Sequence, residues 1–560
     1  MNNLLKFSWV ILIAFLYSIS WLITNHIPPW LGFHSDAVAG LISLLLSFFI
    51  FLKAKEKIHW HTISLLSIIL FIIIWIQFFT GLISQFGVAW TQSLYILGFS
   101  LSLLIGSLWE RSNTLECADF LFLSCIFGAT ISLAFQIHQW LDMNLFGDWV
   151  LAGQKSRPYA NMAQPNQLGT LFFLGIVGCG WFFIRGKFNS IFSIFLATGL
   201  LFGLALTQSR TGWVNAVFTV FSFIIWRNRL TGKNISIFPI LLLSTFYIIF
   251  IFTIPYINSL IHESSNLLEV RSLVDHARLS IWKMLLEAAW LKPWVGYGWG
   301  QVSHAQFMPE VADIKFSGNL QQSHNLVLDL ILWNGIILGG VTSLVLAWWG
   351  IKVLRKISSI EQLLMVLFLM VIFNHAMLEF PLQYAYFLIP TGMMIGAINS
   401  NLKFPVILQS SKIIGLIFIL SIGMAFSITV RDYFLVENSF YGLRFEQRKI
   451  ASNIPKTPPD TIVLTQLRDY IIFARIEPQK SHSAENIKWA EDIVKTLPSA
   501  LGMYKLAAIF AFAGNTKESH YWMKNACKMT NEFQCEIIKE RWQQESEIYP
   551  AMKNVGWMEK

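Results

Sequence analysis

Apolar residues are grouped in long blocks broken by short polar stretches, and these blocks set the architecture. A helix that crosses a bilayer needs about 20 mostly apolar residues. Thirteen segments approach that length: 7–24, 37–53, 62–79, 92–109, 118–138, 167–184, 190–206, 212–227, 235–255, 324–350, 361–378, 384–399 and 412–430. Segments 37–53 and 212–227 are short, so their ends are soft. No small-residue cleavage site follows the first segment, which therefore reads as a retained anchor. Two long stretches, 256–323 and 431–560, fall outside the pattern.

Basic residues sort the connections into two alternating sets. One set holds Lys53, Lys55 and Lys57; Arg111; Arg185 and Lys187; Arg227, Arg229 and Lys233; Lys352, Arg355 and Lys356; and Lys403 and Lys412. The other set is nearly bare. Loops 25–36, 80–91 and 379–383 carry no Lys or Arg, 139–166 carries Lys155 and Arg157, and 207–211 carries Arg210. Basic loops stay in the cytoplasm. The N-terminus, with Lys6, is therefore expected inside. Both long stretches are expected outside.

Composition closes off other classes. Of the 560 residues, 55% are hydrophobic and 13% charged, and mean hydropathy is +0.55. Soluble domains carry about 25% charged residues, so this chain lacks the polar surface of a soluble particle. The expected fold class is an all-α polytopic membrane protein with about thirteen transmembrane helices. The net charge of +9 arises from 41 basic and 32 acidic residues. The basic ones sit in short clusters between apolar blocks, which is orientation charge and not a nucleic-acid groove. No phosphate-binding Gly-x-x-x-x-Gly-Lys-Ser/Thr loop is present. The five cysteines include no Cys-x-x-Cys pair, so no metal site and no cofactor are expected.

The last 130 residues change character. Pro455, Pro458 and Pro459 mark a linker. From Ala484 to Met529 apolar residues recur at helical spacing, with Gly514–Asn515 as a turn between two helices. Small and large residues at Ala507, Ala508, Ala511, Gly514, Trp522 and Ala526 suit either a tetratricopeptide-type hairpin or a generic one. A single such unit needs a further helix pair, or the membrane part, to cover it. Cys527 and Cys535 are close enough in sequence to bridge across a turn in an oxidising compartment.

Ionisable groups in or beside membrane spans are functional candidates by default, and here they collect on the external side. Arg157 opens a stretch rich in amides, with Asn161, Gln164, Asn166 and Gln167. Amides donate and accept at once, which suits a hydroxyl-rich ligand; a solvated loop is the plainer reading. Arg210 sits among Thr207, Gln208, Ser209 and Thr211, as a snorkelling anchor or as part of a donor-rich anion pocket. Arg271 and Arg278 are seven apart, so a helix places them on one face. Val-Gly-Tyr-Gly-Trp-Gly at 295–300 reads as a tight turn lying against the membrane. His324 falls at the external mouth of the tenth segment, as an interfacial hydrogen-bonder or as a base. Glu379, Tyr384 and Tyr386 close the same side. His34 and Asp36 lie there too, but no third or fourth ligand makes a metal site.

At these residues the chain resembles the O-antigen ligase and polymerase superfamily, and within it the PglL-like bacterial protein O-oligosaccharyltransferases. His26-Ile-Pro-Pro-Trp30-Leu-Gly-Phe-His34-Ser-Asp36 resembles the short signature of protein glycosylation ligases. Arg157-Pro through Pro165-Asn166-Gln167-Leu-Gly resembles a family stretch in which Gln164 replaces the usual Asn. Ser209-Arg210-Thr-Gly, Arg278-Leu-Ser-Ile-Trp282, the Gly-x-Gly turn and Ser323-His324-Asn325 resemble the ligase core.

The resemblance implies metal-independent glycosyl transfer on the periplasmic face of the bacterial inner membrane. The donor would be an undecaprenyl-diphosphate-linked oligosaccharide, and the acceptor a Ser or Thr of a pilin or other exported protein. Arg210 and Arg278, with Arg157 as a third, would hold the diphosphate. His324 would be the base. Asn166, Gln167, Arg271, Glu379 and Tyr384 would bind or position substrate. Four regions follow: membrane helices in 1–255, a large periplasmic loop at 256–323, membrane helices in 324–430 and a periplasmic helical tail at 431–560. An O-antigen ligase acting on lipid A–core, a glycan polymerase and a lipid-linked glycan transporter are the rival readings. A transporter would carry inverted repeats with broken helices near the midplane, and no such repeat is evident.

Overall fold

The computed structural model describes residues 2–557, apart from 144, 154–156, 231–235, 262–266, 309–310, 312–317 and 452; the side chains of 2–7 and 267–277 are likewise not described. Lys155, Lys233 and the side chains of Lys6 and Arg271 thus lie outside the described residues.

Helices dominate, because the apolar blocks are long and their backbone groups must be satisfied within the segment. In order they are α1 (Asn2–Ser18), α2 (Phe33–Lys53), α3 (Thr62–Phe79), α4 (Phe86–Ser112), α5 (Glu116–Trp140), α6 (Pro165–Ile184), α7 (Ser190–Leu206), α8 (Arg210–Trp226), α9 (Phe238–Ile261), α10 (Leu267–Leu291), the short α11 (Val302–Gln306), α12 (Leu326–Lys356), α13 (Ile360–Ala376), α14 (Ala385–Asn401) and α15 (Lys412–Gln447). Two three-residue strands, β1 (Ile58–Trp60) and β2 (Leu408–Ser410), pair antiparallel with Ile58 opposite Ser410. Each of the thirteen apolar segments falls on one of these helices. Among the described residues, eight helices are long and apolar enough to cross a membrane by length and composition: α2 to α6, α9, α12 and α15. The other five, α1, α7, α8, α13 and α14, have 17 residues each. The chain is a multi-pass membrane protein.

It divides into two compact units, 1–71, 94–267 and 344–426 in the first, and 72–93, 268–343 and 427–560 in the second. In the first, α5 and α6 form the centre, with Phe122 stacked on Trp181 at 5.0 Å. At the basic end of this pair, buried Asp119 accepts from Trp181 Nε1 at 2.7 Å, Lys187 Nζ at 3.0 Å and Arg185 at 3.2 Å. A buried carboxylate needs such partners, and here two cations and an indole N–H supply them.

The second unit holds the tail. Its helices are α16 (Thr465–Arg475), α17 (Ala484–Thr496), α18 (Ala500–Phe512), α19 (Thr516–Lys528), α20 (Glu532–Ile548) and α21 (Pro550–Val555). The run from 484 to 529 therefore forms three helices, not two, because Ser499 starts a new one by capping Gly502 N. The Gly514–Asn515 turn joins α18 to α19, with Gly514 at φ +74° and Asn515 capping α19. Trp522, Trp542, Met503 and Met552 fill this core, together with Phe307 from the long loop. Cys527 and Cys535 are disulfide-bonded, tying the end of α19 to α20.

The same unit holds a broken helix. Within α12, Gly335 has φ 80° and ψ 168°, so the helix is interrupted there. In an intact helix Leu332 O would accept from Ile336 N. Instead Tyr297 N donates to Leu332 O at 2.7 Å, and Ile336 N donates to Pro293 O at 2.7 Å. The next carbonyl, Trp333 O, accepts from Gln77 Nε2 at 2.8 Å. The glycine-rich turn is thus not simply laid against the membrane. It enters the break and replaces the lost helical bonds. Trp299 stacks on Trp333 at 4.5 Å and donates to Asn334 Oδ1 at 2.8 Å. Glycine is needed on both sides of this contact. A Cβ on Gly335 would stand 2.4 Å from Trp294 O, and one on Gly296 would stand 2.4 Å from Leu332 O.

Gly335→Ala should therefore destabilise the protein by at least about 1–3 kcal/mol, the usual cost of a strained backbone position, before the clash is counted. Thermal unfolding of the purified protein should show a clearly lowered midpoint. Gly340→Ala in the same helix, where a Cβ meets nothing within 4 Å, should leave the midpoint nearly unchanged.

Candidate functional site

Polar groups gather in two clusters, one in each unit. In the first unit, Pro165 starts α6 and places Asn166 and Gln167 in its first turn. Asn166 Nδ2 donates to Glu379 Oε1 at 3.0 Å, and Gln164 Nε2 donates to Oε2 at 3.4 Å. Asn166 Oδ1 accepts from Ser209 Oγ at 2.9 Å and from Arg157 Nη2 at 3.4 Å. Arg157 Nε donates to Thr207 O at 2.9 Å. Buried Gln167 accepts from Tyr386 OH at 2.6 Å. Tyr384 stacks on Tyr386 at 5.1 Å. Of the expected site residues, Arg157, Asn166 and Glu379 are in one bonded set, and Gln167 and Tyr384 meet at Tyr386 in a second. Arg210 follows Ser209 as the exposed first residue of α8, where the helix dipole favours anions.

The amide-rich loop is used differently from expectation. Asn161 is buried and serves the fold: its Nδ2 donates to Leu22 O at 2.7 Å and Trp149 O at 2.9 Å. Most of the loop's amide capacity is spent within the protein because a buried turn must satisfy its own backbone. Gln139, on α5, helps by accepting from Ala160 N at 2.7 Å and Tyr159 N at 3.0 Å. Only the distant fold could reveal that role.

The segment from His26 to Asp36 is bound to this network. His26 Nε2 lies 2.6 Å from Asn161 O. Asp36 is buried and accepts from Tyr95 OH at 2.5 Å and from Ala385 N at 2.6 Å. A Cβ on Gly32 would stand 3.1 Å from the Tyr384 ring. Asp36 is thus a clamp that fixes the start of α14, and with it Tyr384. Sequence reading assigned Asp36 no role of its own, because its partners are 59 and 349 residues away.

In the second unit the cluster is built around Ser323-His324-Asn325. Asn325 caps α12 by accepting from Leu328 N at 3.1 Å. His324 has φ 59°, a left-handed conformation uncommon for a side-chain-bearing residue. The bonds on either side hold it there. Trp282 Nε1 donates to Ser323 O at 2.9 Å, and Ser323 N donates to Asp329 Oδ1 at 2.7 Å. Asp329 is buried and within electrostatic reach of His324. Sequence reading passed over Asp329 as one polar residue in an apolar run, although a carboxylate five residues after a histidine at a helix start was the available signal. Arg278, half-buried, lies one helical turn before Trp282 on the same face of α10. The backbone of Arg271 is on α10 as expected. His304, earlier in the loop, is a poor base. Burial, with Lys495 and Lys292 adding, pushes it down to about 3, so it stays neutral at any pH above that. Among the described residues no group of three or more His, Cys, Asp or Glu is arranged to hold a metal ion.

A helical multi-pass membrane protein with arginines, one strained histidine and buried carboxylates at helix ends is a narrow class. Residues 192–343 match the family model described as O-Antigen ligase, and residues 363–532 match one described as virulence factor membrane-bound polymerase, C-terminal. The family-model likeness is thus to the O-antigen ligase family, over part of the chain. It is 29% identical over 525 residues to a general O-oligosaccharyltransferase of Acinetobacter baylyi, covering 90% of this chain and 89% of that protein. It is 30% identical over 252 residues to a ComP-specific O-oligosaccharyltransferase of the same organism, covering 44% and 45%.

Asp36→Ala should strand the Tyr95 hydroxyl and the Ala385 N–H, at about 1–3 kcal/mol for each group left without a partner. Purified Asp36→Ala should unfold at a clearly lower temperature than wild type. Asp36→Asn, which keeps one acceptor oxygen, should fall between the two.

Proposed function

We propose that this protein transfers an oligosaccharide from a lipid diphosphate to Ser or Thr hydroxyls of exported proteins, a pilin among them. The carrying observation is the similarity to a general O-oligosaccharyltransferase along nine-tenths of the chain. The donor in this reading is undecaprenyl-diphosphate-linked, and the reaction takes place on the periplasmic face of the inner membrane. The alternating basic loops support that orientation. So does the disulfide in the tail, because such bonds persist in oxidising compartments.

In this reading the acceptor hydroxyl attacks the anomeric carbon while His324 takes its proton. The bond from that carbon to the diphosphate oxygen breaks, and the lipid diphosphate leaves with the electron pair. Displacement in one step inverts the anomeric centre. A diphosphate is already a good leaving group, so charge stabilisation suffices and no nucleotide is consumed. Arg278 and Arg210 supply it, since a planar guanidinium pairs two phosphate oxygens at once. Arg210 at the start of α8 adds the helix N-terminus to its own charge. Arg157 is the third cation, Arg271 a further donor contact. Asn166, Gln167, Glu379 and Tyr384 position substrate.

Intact masses of periplasmic proteins from cells with and without this gene, read beside a lipopolysaccharide gel, test the reading. We expect glycan-sized mass losses on one or more proteins and an unchanged gel. Unmodified protein masses with a lost O-antigen ladder would instead establish an O-antigen ligase acting on lipid A–core. Arg278→Lys keeps the charge but loses the fork, so glycosylation should fall at least about tenfold, the equivalent of about 1.4 kcal/mol. Full activity in Arg278→Ala would remove the diphosphate role. Alkaline phosphatase fused after Asn453 should be active, and fused after Lys233 inactive.

A further inference from the structure

Five helices of the first unit, α6, α7, α8, α9 and α13, line a cavity of about 210 Å³. One water needs only about 10–15 Å³, and it needs two to four polar partners. The lining here is almost wholly apolar. The Ser193 and Thr219 hydroxyls in it are spent on backbone carbonyls one turn earlier, at Asn189 and Asn215. The space therefore suits a hydrocarbon chain and not water.

The cavity has a blind end and a mouth. Phe173, Leu201 and Tyr247 at one end are buried. Phe183 and Ser190 at the other end are exposed. Ten residues of α6 separate Phe173 from Phe183, about 15 Å at 1.5 Å per residue. That is about half of the 30 Å hydrocarbon thickness, the depth of one leaflet. The mouth lies at the basic ends of these helices. Arg185 and Lys187 follow Phe183, although both already bond to Asp119. Exposed Arg227 and Arg229 follow Phe223 of the wall, at the end of α8. Helices α6 to α9 and their connections carry no acidic residue, and α13 only Glu361.

We propose that this cavity takes one acyl chain of an anionic phospholipid from the leaflet at the Arg227–Arg229 end, with the headgroup phosphate on those two arginines. Basic pockets between membrane helices bind anionic headgroups in this way. The chain fills space that the bundle leaves open. It thereby braces α6 and α8, whose other ends carry Asn166, Gln167 and Arg210. The site is separate from the proposed diphosphate contacts, because Arg210 and Arg227 stand at opposite ends of α8.

Full-length protein in nanodiscs of equal parts phosphatidylglycerol and phosphatidylethanolamine, released in mild detergent and weighed intact by native mass spectrometry, tests this. Wild type should retain one phosphatidylglycerol. Gly180 lines the cavity, and a Cβ there meets nothing within 4 Å. Gly180→Phe should therefore fill the space and lower the lipid-bound fraction several-fold. Arg227→Gln with Arg229→Gln should keep a lipid but lose the preference for phosphatidylglycerol. Equal retention in wild type and Gly180→Phe would overturn the proposal, and so would a retained polyprenyl diphosphate in place of phospholipid. An unchanged preference in the double variant would overturn the headgroup contact. Should Gly180→Phe fail to fold, phosphatidylglycerol with a diazirine at one chain end reads the wild-type site directly. It should crosslink to buried Leu201 or Tyr247. Crosslinks confined to exposed Phe195 and Phe218 would overturn the proposal.

Discussion

A helix that breaks at a bilayer must find partners for the backbone groups it frees, because lipid supplies none. That constraint organises the second unit. The break at Gly335 leaves the Leu332 carbonyl and the Ile336 N–H without each other, and the 293–297 turn answers both. Gln77 and Trp299 complete the joint through side chains. Once the turn is fixed there, α10 is fixed as well, and Trp282 on α10 holds the carbonyl beside His324. The histidine's left-handed backbone is tolerated because Trp282, Asp329 and Asn325 secure its neighbours. The position of the proposed base thus depends on a backbone repair about two to three helical turns further along the chain in α12.

The first unit follows the same rule with side chains. Its buried loop near the mouth spends amides on its own backbone, through Gln139 and Asn161. What remains is a chain of contacts from Arg157 through Asn166 to Glu379, and from Gln167 to Tyr386. Asp36 closes it against α14. Bonding of this kind rigidifies a site, which suits the proposed positioning of substrate.

Much of this was legible in the sequence, for physical reasons. Apolar block length and loop charge respond to the bilayer alone, so thirteen segments could be located, and each carries a helix. Among the motif residues, Arg157, Asn166 and Glu379 share one bonded set, and Gln167 and Tyr384 meet at Tyr386. What escaped was long-range or conformational. Asp36 finds partners far along the chain, and Asp329 is unremarkable until its bond to Ser323 N is seen. The break in α12 falls at Asn334–Gly335, a turn-prone pair, but apolar residues on both sides make the run read as one continuous helix. The third helix in the tail was missed although Pro498 and Ser499 mark a stop and a new N-cap.

The central claim is that His324 removes the acceptor proton as the new bond forms. Its most direct test is turnover of purified His324→Ala with saturating lipid-linked donor and an acceptor protein. General-base help is worth about a hundred- to ten-thousand-fold in rate. The account predicts a loss in that range, with donor binding nearly intact and a folded protein. Near-normal turnover would contradict the account.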